Sequence, residues 1–266
     1  MDTLSQFITW SVDPEIARIG TLAPRWYGLL FASGFIVGYY IMERIYKNEK
    51  KPLNDVNTLL FMMVIGTLAG ARLGHCLFYN PDYYLSRPLE ILKVWEGGLA
   101  SHGAAIGIFI SLYYYSRNRL GQPYLWVLDR IVVPAALAGS FIRLGNLFNS
   151  EIIGKPTDVA WAFVFTRVDI IPRHPAQLYE SLAYLVIFFI LFRFYWRSKG
   201  VFKEGFLLGW FLILIFGVRF FIEFLKEIQS PFEAGLSLNM GQWLSIPMVA
   251  LGVYFLRRRT VSPKRR

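Results

Sequence analysis

Seven long apolar runs recur along the 266 residues, at about 27–42, 59–79, 99–115, 125–148, 178–196, 206–224 and 243–256. A helix satisfies its own N–H and C=O groups, which hydrocarbon requires because it offers no water to bond them. A spanning helix needs roughly 17–25 residues, so the first and last runs must borrow flanking positions. The runs therefore predict an all-α polytopic membrane protein with about seven transmembrane helices. Composition agrees: 55% of residues are hydrophobic, 17% are aromatic, and the mean hydropathy of +0.41 is too high for an ordinary soluble domain.

Charge in the connecting segments orients the chain. Segments 43–58, 116–124, 197–205 and 257–266 hold 15 Lys/Arg in 44 residues, whereas 1–26, 80–98, 149–177 and 225–242 hold 8 in 92. Lys and Arg are enriched in cytoplasmic loops, which predicts an N-terminus outside and a C-terminus inside. The net charge of +10 follows largely from those loops and from the basic tail 257–266, where it attracts anionic lipid rather than nucleic acid. No removable signal peptide is expected at the start. No internal repeat or soluble domain interrupts the chain, so residues 1–266 are expected to form one integral-membrane domain with outer loops at about 80–98 and 149–177.

Five arginines fall inside the apolar runs: Arg72, Arg130, Arg143, Arg193 and Arg219. Arg130 and Arg193 lie near cytoplasmic ends, where a long side chain can snorkel to the headgroups, and read as anchors. Arg72, Arg143 and Arg219 lie in the later part of outward-running segments, and His102 opens an inward-running one. All four are thus expected at one level, in the outer half of the bilayer. Ionisable groups at membrane depth mark functional sites, and an outward-facing anion site requires this coincidence of depth.

Residues 143–154, Arg-Leu-Gly-Asn-Leu-Phe-Asn-Ser-Glu-Ile-Ile-Gly, close a membrane run with polar side chains. On a helix Arg143, Asn146 and Ser150 share a face. A guanidinium offers a planar fork of donors suited to phosphate oxygens, and asparagine adds a donor and an acceptor. Arg219 and Glu223, four apart, suggest an intrahelical ion pair that leaves the arginine oriented. His102 follows Gly97-Gly98 and precedes Gly103 and Gly107, a pattern that allows a turn and a close backbone approach. A lone histidine is usually a structural donor. His75 and His174 are weaker candidates, and His174 is expected to hold its loop by hydrogen bonding.

Several chemistries are missing. There is no HExxH and no second histidine at metal spacing, so no metal site is expected. Neither GxSxG nor a P-loop appears. The single cysteine, Cys76, excludes an intramolecular disulfide and reads as a packing residue.

Residues 143–154 resemble the pattern G-R-x-G-N-F-x-N-x-E-x-x-G of the prolipoprotein diacylglyceryl transferases of bacterial inner membranes. Arg143, Gly145, Asn146, Asn149, Glu151 and Gly154 keep the register; Ile142 and Leu147 depart from it. Trp26-Tyr27-Gly28, Phe78-Tyr79-Asn80, Trp95-Glu-Gly-Gly98, His102-Gly103, His174-Pro175-Ala-Gln177-Leu-Tyr179-Glu180, Val218-Arg219 with Glu223, and Met240-Gly-Gln-Trp243 are also family-like and in family order. Arg25 stands where histidine is common, and Ala104 where a second glycine is.

The resemblance implies transfer of the diacylglyceryl group of phosphatidylglycerol to the lipobox cysteine thiol of a prolipoprotein. The products are a thioether and glycerol phosphate, and no cofactor is implied. It also implies a multi-pass protein of the bacterial inner membrane with its site facing the periplasmic leaflet. His102, Arg143 and Arg219 are the expected catalytic residues, with His102 as base or as positioning residue. Arg143, Asn146, Glu151, Gly154, Tyr27, Glu223 and Arg72 are expected to bind substrate. The competing readings are a transporter and a scramblase-like lipid-binding protein with an outer-leaflet anion site.

Overall fold

A computed structural model describes residues 7–18, 20, 23–228, 235 and 237–258, so most of the basic tail 257–266 lies outside the described residues. The protein is mostly helical. Its helices are α1 (Trp26–Asn48), α2 (Asn54–Tyr79), α3 (Pro81–Ser86), α4 (Ser101–Arg117), α5 (Tyr124–Asn149), α6 (Ala176–Ser198), α7 (Phe206–Ile222) and α8 (Met240–Arg257). Short 3-10 turns cover Pro88–Leu92, Val94–Glu96 and Glu223–Leu225. Among the described residues five helical segments are long and apolar enough to cross a membrane: Trp26–Asn48, Asn54–Tyr79, Tyr124–Asn149, Ala176–Ser198 and Phe206–Leu225.

The chain forms two compact units, Ile41–Arg130 and Met1–Tyr40 with Ile131–Arg266, whose boundaries fall within α1 and α5. In the first, α2 and α4 run antiparallel along a seam of small residues. A Cβ on Gly70 would strike the Gly103 carbonyl and lie 2.8 Å from Gly107 Cα, and one on Gly74 would lie 2.6 Å from Gly103 Cα. Gly66 meets Ser111 and Gly107 in the same way. Lipid tails are as apolar as leucine, so backbone approach and van der Waals packing, rather than a hydrophobic drive, hold such helices together.

The same unit buries a polar cluster. Gln122 Oε1 accepts from the Tyr46 and Tyr115 hydroxyls at 2.9 and 2.6 Å, and Gln122 Nε2 donates to Asp55 at 2.6 Å. Arg130 does not snorkel as expected. It is buried, bonds both oxygens of Glu49 at 2.9 and 3.0 Å, and stacks 4.6 Å over the Trp126 ring. A carboxylate within reach satisfies a guanidinium better than a stretch toward headgroups. Arg193 is exposed.

The second unit departs from an all-α reading. β1 (Ile8–Trp10), β2 (Phe163–Phe165) and β3 (Pro172–Arg173) form a small sheet, with β1 parallel to β2 and β2 antiparallel to β3. Its apolar side seals the end of α5: Phe163, Phe165 and Leu147 are buried together, with Trp10, Leu144, Ile153 and Leu178 packed against them. Trp10 Nε1 donates to the Leu147 carbonyl at 3.0 Å, occupying one of the last acceptors of α5. Helices α7 and α8 pack through Gly209 and Gly252, where a Cβ on either would lie about 3 Å from the other's carbonyl oxygen. A capping box opens α8: Asn239 Oδ1 accepts from the Gln242 N–H at 3.1 Å, and Gln242 Oε1 accepts from the Asn239 N–H at 3.2 Å.

Candidate active site

The polar stretch after Arg143 is shaped by the way α5 ends. Ser150 takes a left-handed φ of 55°, the Ser150 N–H bonds the Leu147 carbonyl at 3.0 Å, and the Glu151 N–H reaches back to Asn146 at 2.9 Å. This pair of bonds is the Schellman cap, with serine where glycine is usual. Ile152 follows at φ 57°, a rare conformation for a β-branched residue. Strained backbone of this kind persists where the surroundings over-determine it, as they do at functional sites. The reversal folds Glu151 onto the helix end, where its carboxylate accepts from Asn146 Nδ2 and Asn149 Nδ2, both at 3.1 Å. Gln177 Nε2 holds the Glu151 carbonyl at 2.6 Å.

Arg143 stands one turn earlier. Its Nε lies 3.1 Å from Glu180 Oε2, without hydrogen-bond alignment, and its Nη1 donates to Asn146 Oδ1 at 3.4 Å. Glu180 is fully buried on α6 and accepts from Lys226 Nζ at 2.9 Å. Lys226, itself buried, donates equally to Glu223 Oε2 at 2.9 Å, and Glu223 Oε2 lies 4.0 Å from Arg219 Nε. The chain Arg143–Glu180–Lys226–Glu223–Arg219 thus joins α5, α6, α7 and the turn after α7. The expected Arg219–Glu223 pair is present but loose, because Lys226 holds the carboxylate oxygen that faces the arginine.

Backbone contacts fix Lys226 beside the reversal. Gly154 pairs with Lys226 in a single bridge, Lys155 N–H bonds the Leu225 carbonyl at 2.8 Å, and Glu227 N–H bonds Ile153 at 3.1 Å. Gly154 is needed here: a Cβ would collide with the His174 carbonyl and lie 2.9 Å from that of Leu225. Tyr27 packs against Gly145, whose missing Cβ would sit 2.8 Å from the ring. The Glu223 carboxylate packs likewise on Gly241, 2.5 Å from where a Cβ would stand.

Among the described residues, several buried polar atoms in and beside this network have no hydrogen-bond partner within the protein: Asn149 Oδ1, Ser150 Oγ, Gln177 Oε1, Glu180 Oε2 and Arg219 Nε. Buried polar groups are nearly always bonded, so a cluster of orphans points to a polar ligand or water.

Arg72 and His102 belong to the other compact unit. Arg72 is buried and its nitrogens donate to the carbonyls of Ile91, Gly97 and Glu90 at 2.9, 2.6 and 2.6 Å, while its guanidinium lies 5.1 Å over the Tyr84 ring. It pins the segment 87–98 to α2. Gly98, at φ 67°, lies so close that a Cβ would stand 2.6 Å from the His75 ring. His102 is exposed at the start of α4, with the rings of Phe78 and Tyr79 at 5.4 and 5.8 Å. His174 does hold its loop: its carbonyl accepts from Gly154, its N–H bonds Lys155, and its Nδ1 lies 3.2 Å from the Tyr179 hydroxyl.

Of the residues expected at a site, Arg143, Asn146, Glu151, Glu223 and Arg219 come into one network, with Tyr27 and Gly154 packed against its frame. Glu180 and Lys226 were missed as site residues. The signal for Glu180 was available, since it is a carboxylate in an apolar helix; Lys226 is hidden among loop charges.

Five membrane-length apolar helical segments among the described residues define a polytopic membrane protein, and a network of ionised side chains lies among its helices. The chain belongs to the prolipoprotein diacylglyceryl transferase family, whose model matches residues 14–258. It is 53% identical over 256 residues to the phosphatidylglycerol–prolipoprotein diacylglyceryl transferase of Chloroherpeton thalassium, covering 96% of this chain and 95% of that one. Relatives of the same description in Tolumonas auensis and Bacteroides fragilis are 48% and 46% identical, covering 93% and 96% of this chain and 95% and 96% of their own lengths.

Proposed function

We propose that this protein transfers the diacylglyceryl group of phosphatidylglycerol to the lipobox cysteine of prolipoproteins, the first step of bacterial lipoprotein maturation. The observation that carries the mechanism is the ion-pair chain Arg143–Glu180–Lys226–Glu223–Arg219, buried at its centre, in which, among the described residues, three cations meet two carboxylates directly, with Glu151 set further off behind Asn146. Counted over these directly ion-paired groups, its net formal charge of one suits a phosphodiester. Burying unbalanced charge is costly, and a bound anion of opposite sign removes that cost.

In the reaction the substrate thiol loses its proton and its sulfur attacks the diacylglycerol carbon that bears the phosphate ester. The S–C bond forms, the C–O bond breaks, and glycerol phosphate departs with the electron pair. Arg143 and Arg219 bind the phosphate and stabilise the charge that builds on the leaving oxygen, a contribution worth about 3–4 kcal/mol per donor in a dry site. Asn146 and Glu151 shape the headgroup pocket with Tyr27 and Gly154, and Glu223 orients Arg219. Arg72 is assigned to substrate binding on its place in the sequence. A thiol attacks as thiolate, and His102 either takes its proton or positions the lipobox segment.

The whole chain 1–266 acts as one integral-membrane domain of the inner membrane, with no metal or cofactor. Helix α4, with 17 residues, and α8, with 18, complete seven spans; at 1.5 Å per residue each extends about 26 Å, close to the thickness of the hydrocarbon core. The N-terminus is periplasmic, the C-terminus cytoplasmic, and the site faces the outer leaflet.

The test mixes purified protein with phosphatidylglycerol vesicles and a lipobox peptide. Thiol consumption matched by glycerol phosphate release is expected; lipid binding or flipping without both would favour a scramblase-like or transport role. Arg143→Ala and Arg219→Ala should each lower kcat/KM by about 100-fold or more, and near-parental rates in either would remove the two-arginine clamp. Retention of most activity by His102→Gln across neutral pH would leave His102 as a positioning residue only.

A further inference from the structure

Lys226 is given no role of its own in the mechanism above, yet it stands at the centre of the network. Its ammonium is 2.9 Å from Glu180 Oε1 and 2.9 Å from Glu223 Oε2. Each carboxylate also faces one of the arginines, Glu180 at 3.1 Å from Arg143 and Glu223 at 4.0 Å from Arg219. Lys226, Glu180 and Glu223 are all 5% exposed or less, so their fields are poorly screened. The arginines at the two ends are more open, with side-chain exposures of 16% and 32%.

With Lys226 removed, two buried carboxylates would face two guanidinium groups and the formal charges would cancel. Each arginine would then be satisfied by the protein itself and would gain little from a phosphate. With Lys226 present, both carboxylates are partly engaged by the lysine, on Glu223 at the very oxygen nearest Arg219, and one positive charge of the ion-pair chain is left for a ligand at the more open ends. The lysine is held in this place by the backbone contacts of residues 225–227 with Ile153, Gly154 and Lys155, next to the strained reversal that carries Glu151.

We infer that Lys226 is a positioning residue for the lipid donor: it occupies Glu180 Oε1 and competes with Arg219 for Glu223 Oε2, and so keeps Arg143 and Arg219 available to a monoanionic phosphodiester. The inference rests on the reading that these arginines hold the lipid phosphate.

Initial rates measured against the mole fraction of phosphatidylglycerol in vesicles, and separately against lipobox peptide, test it alongside thermal unfolding of each variant. Lys226→Met should raise the KM for phosphatidylglycerol about 100-fold while the KM for peptide stays within about threefold, since each arginine would then find its countercharge within the protein. Lys226→Arg should recover most of the loss. The double variant Lys226→Met/Glu223→Gln restores the formal charge of one and should recover at least about tenfold over the single variant.

Equal rises in both KM values, or a double variant no better than Lys226→Met, would overturn the inference. If Lys226→Met does not fold, the double variant decides alone. Folded and as poor in phosphatidylglycerol KM as Arg143→Ala, it refutes the charge-balance role; folded and within about tenfold of the parent, it supports it. The two readings fail separately. An active Arg143→Ala sinks the phosphate clamp itself, whereas an inactive Arg143→Ala beside a Lys226→Met with parental KM sinks only the role of Lys226.

Discussion

Arg173 ties together the loop that follows α5. Its Nε and Nη2 bond Asp169 at 3.0 and 2.7 Å, and its Nη1 bonds Glu227 at 2.6 Å and the Gly154 carbonyl at 3.3 Å. The bond from Arg173 holds the Asp169 carboxyl below its ordinary range, and burial lowers His174 in the same loop. A depressed carboxyl contributes stability above its unfolded pKa of about 3.9 and loses it as pH falls through the folded value. The thermal midpoint of the purified protein should therefore drop on acidification below about pH 4, and Asp169→Asn should flatten that part of the profile; an unchanged slope would show that the pair does not support the fold. At this scale the arginines of the apolar runs were legible as anomalies, but their partners were not. Arg130 found Glu49, 81 residues away in sequence, and Arg143 found Glu180 from another helix. Only proximity in space distinguishes an anchor from a buried pair.

Helix against helix, the decisive contacts are made by what is absent from side chains. Gly66, Gly70 and Gly74 face Gly103, Gly107 and Ser111 along α2 and α4, where a new Cβ would meet backbone that has no freedom to give way. Gly107→Leu should lower stability by about 3 kcal/mol or prevent folding, since overpacking of this kind costs 1–3 kcal/mol even in adaptable cores. Gly217→Ala in α7 is the control, because nothing lies within 4 Å of its Cβ position; it should be neutral or gain up to about 1 kcal/mol from helix propensity. Midpoints of thermal unfolding in detergent distinguish the two, and equal effects would contradict the seam. The glycines around His102 announced a close approach in the amino-acid string. The sheet formed by β1, β2 and β3 was not announced, because two- and three-residue strands carry too short a pattern to rise above loop composition.

Across the whole molecule, the proposed orientation has a direct test. In a Cys76→Ala background, Ile170→Cys in the loop after α5 should react with a membrane-impermeant thiol reagent on intact spheroplasts. Leu120→Cys, between α4 and α5, should react only after the membrane is opened, and the reverse pattern would invert the topology. Both positions are exposed, at 71% and 101%. Hydropathy alone determined that this chain is a helical membrane protein, because the length and apolarity of a spanning helix are properties of consecutive residues. The local motif around Arg143 likewise marked where polar chemistry collects. Tertiary structure decided which charges meet: Lys226 looked like an ordinary loop cation and Glu180 like part of a motif, until folding placed both between Arg143 and Arg219. Electrostatic pairing depends on distances of about 3 Å between residues far apart in sequence, and no linear pattern encodes those distances.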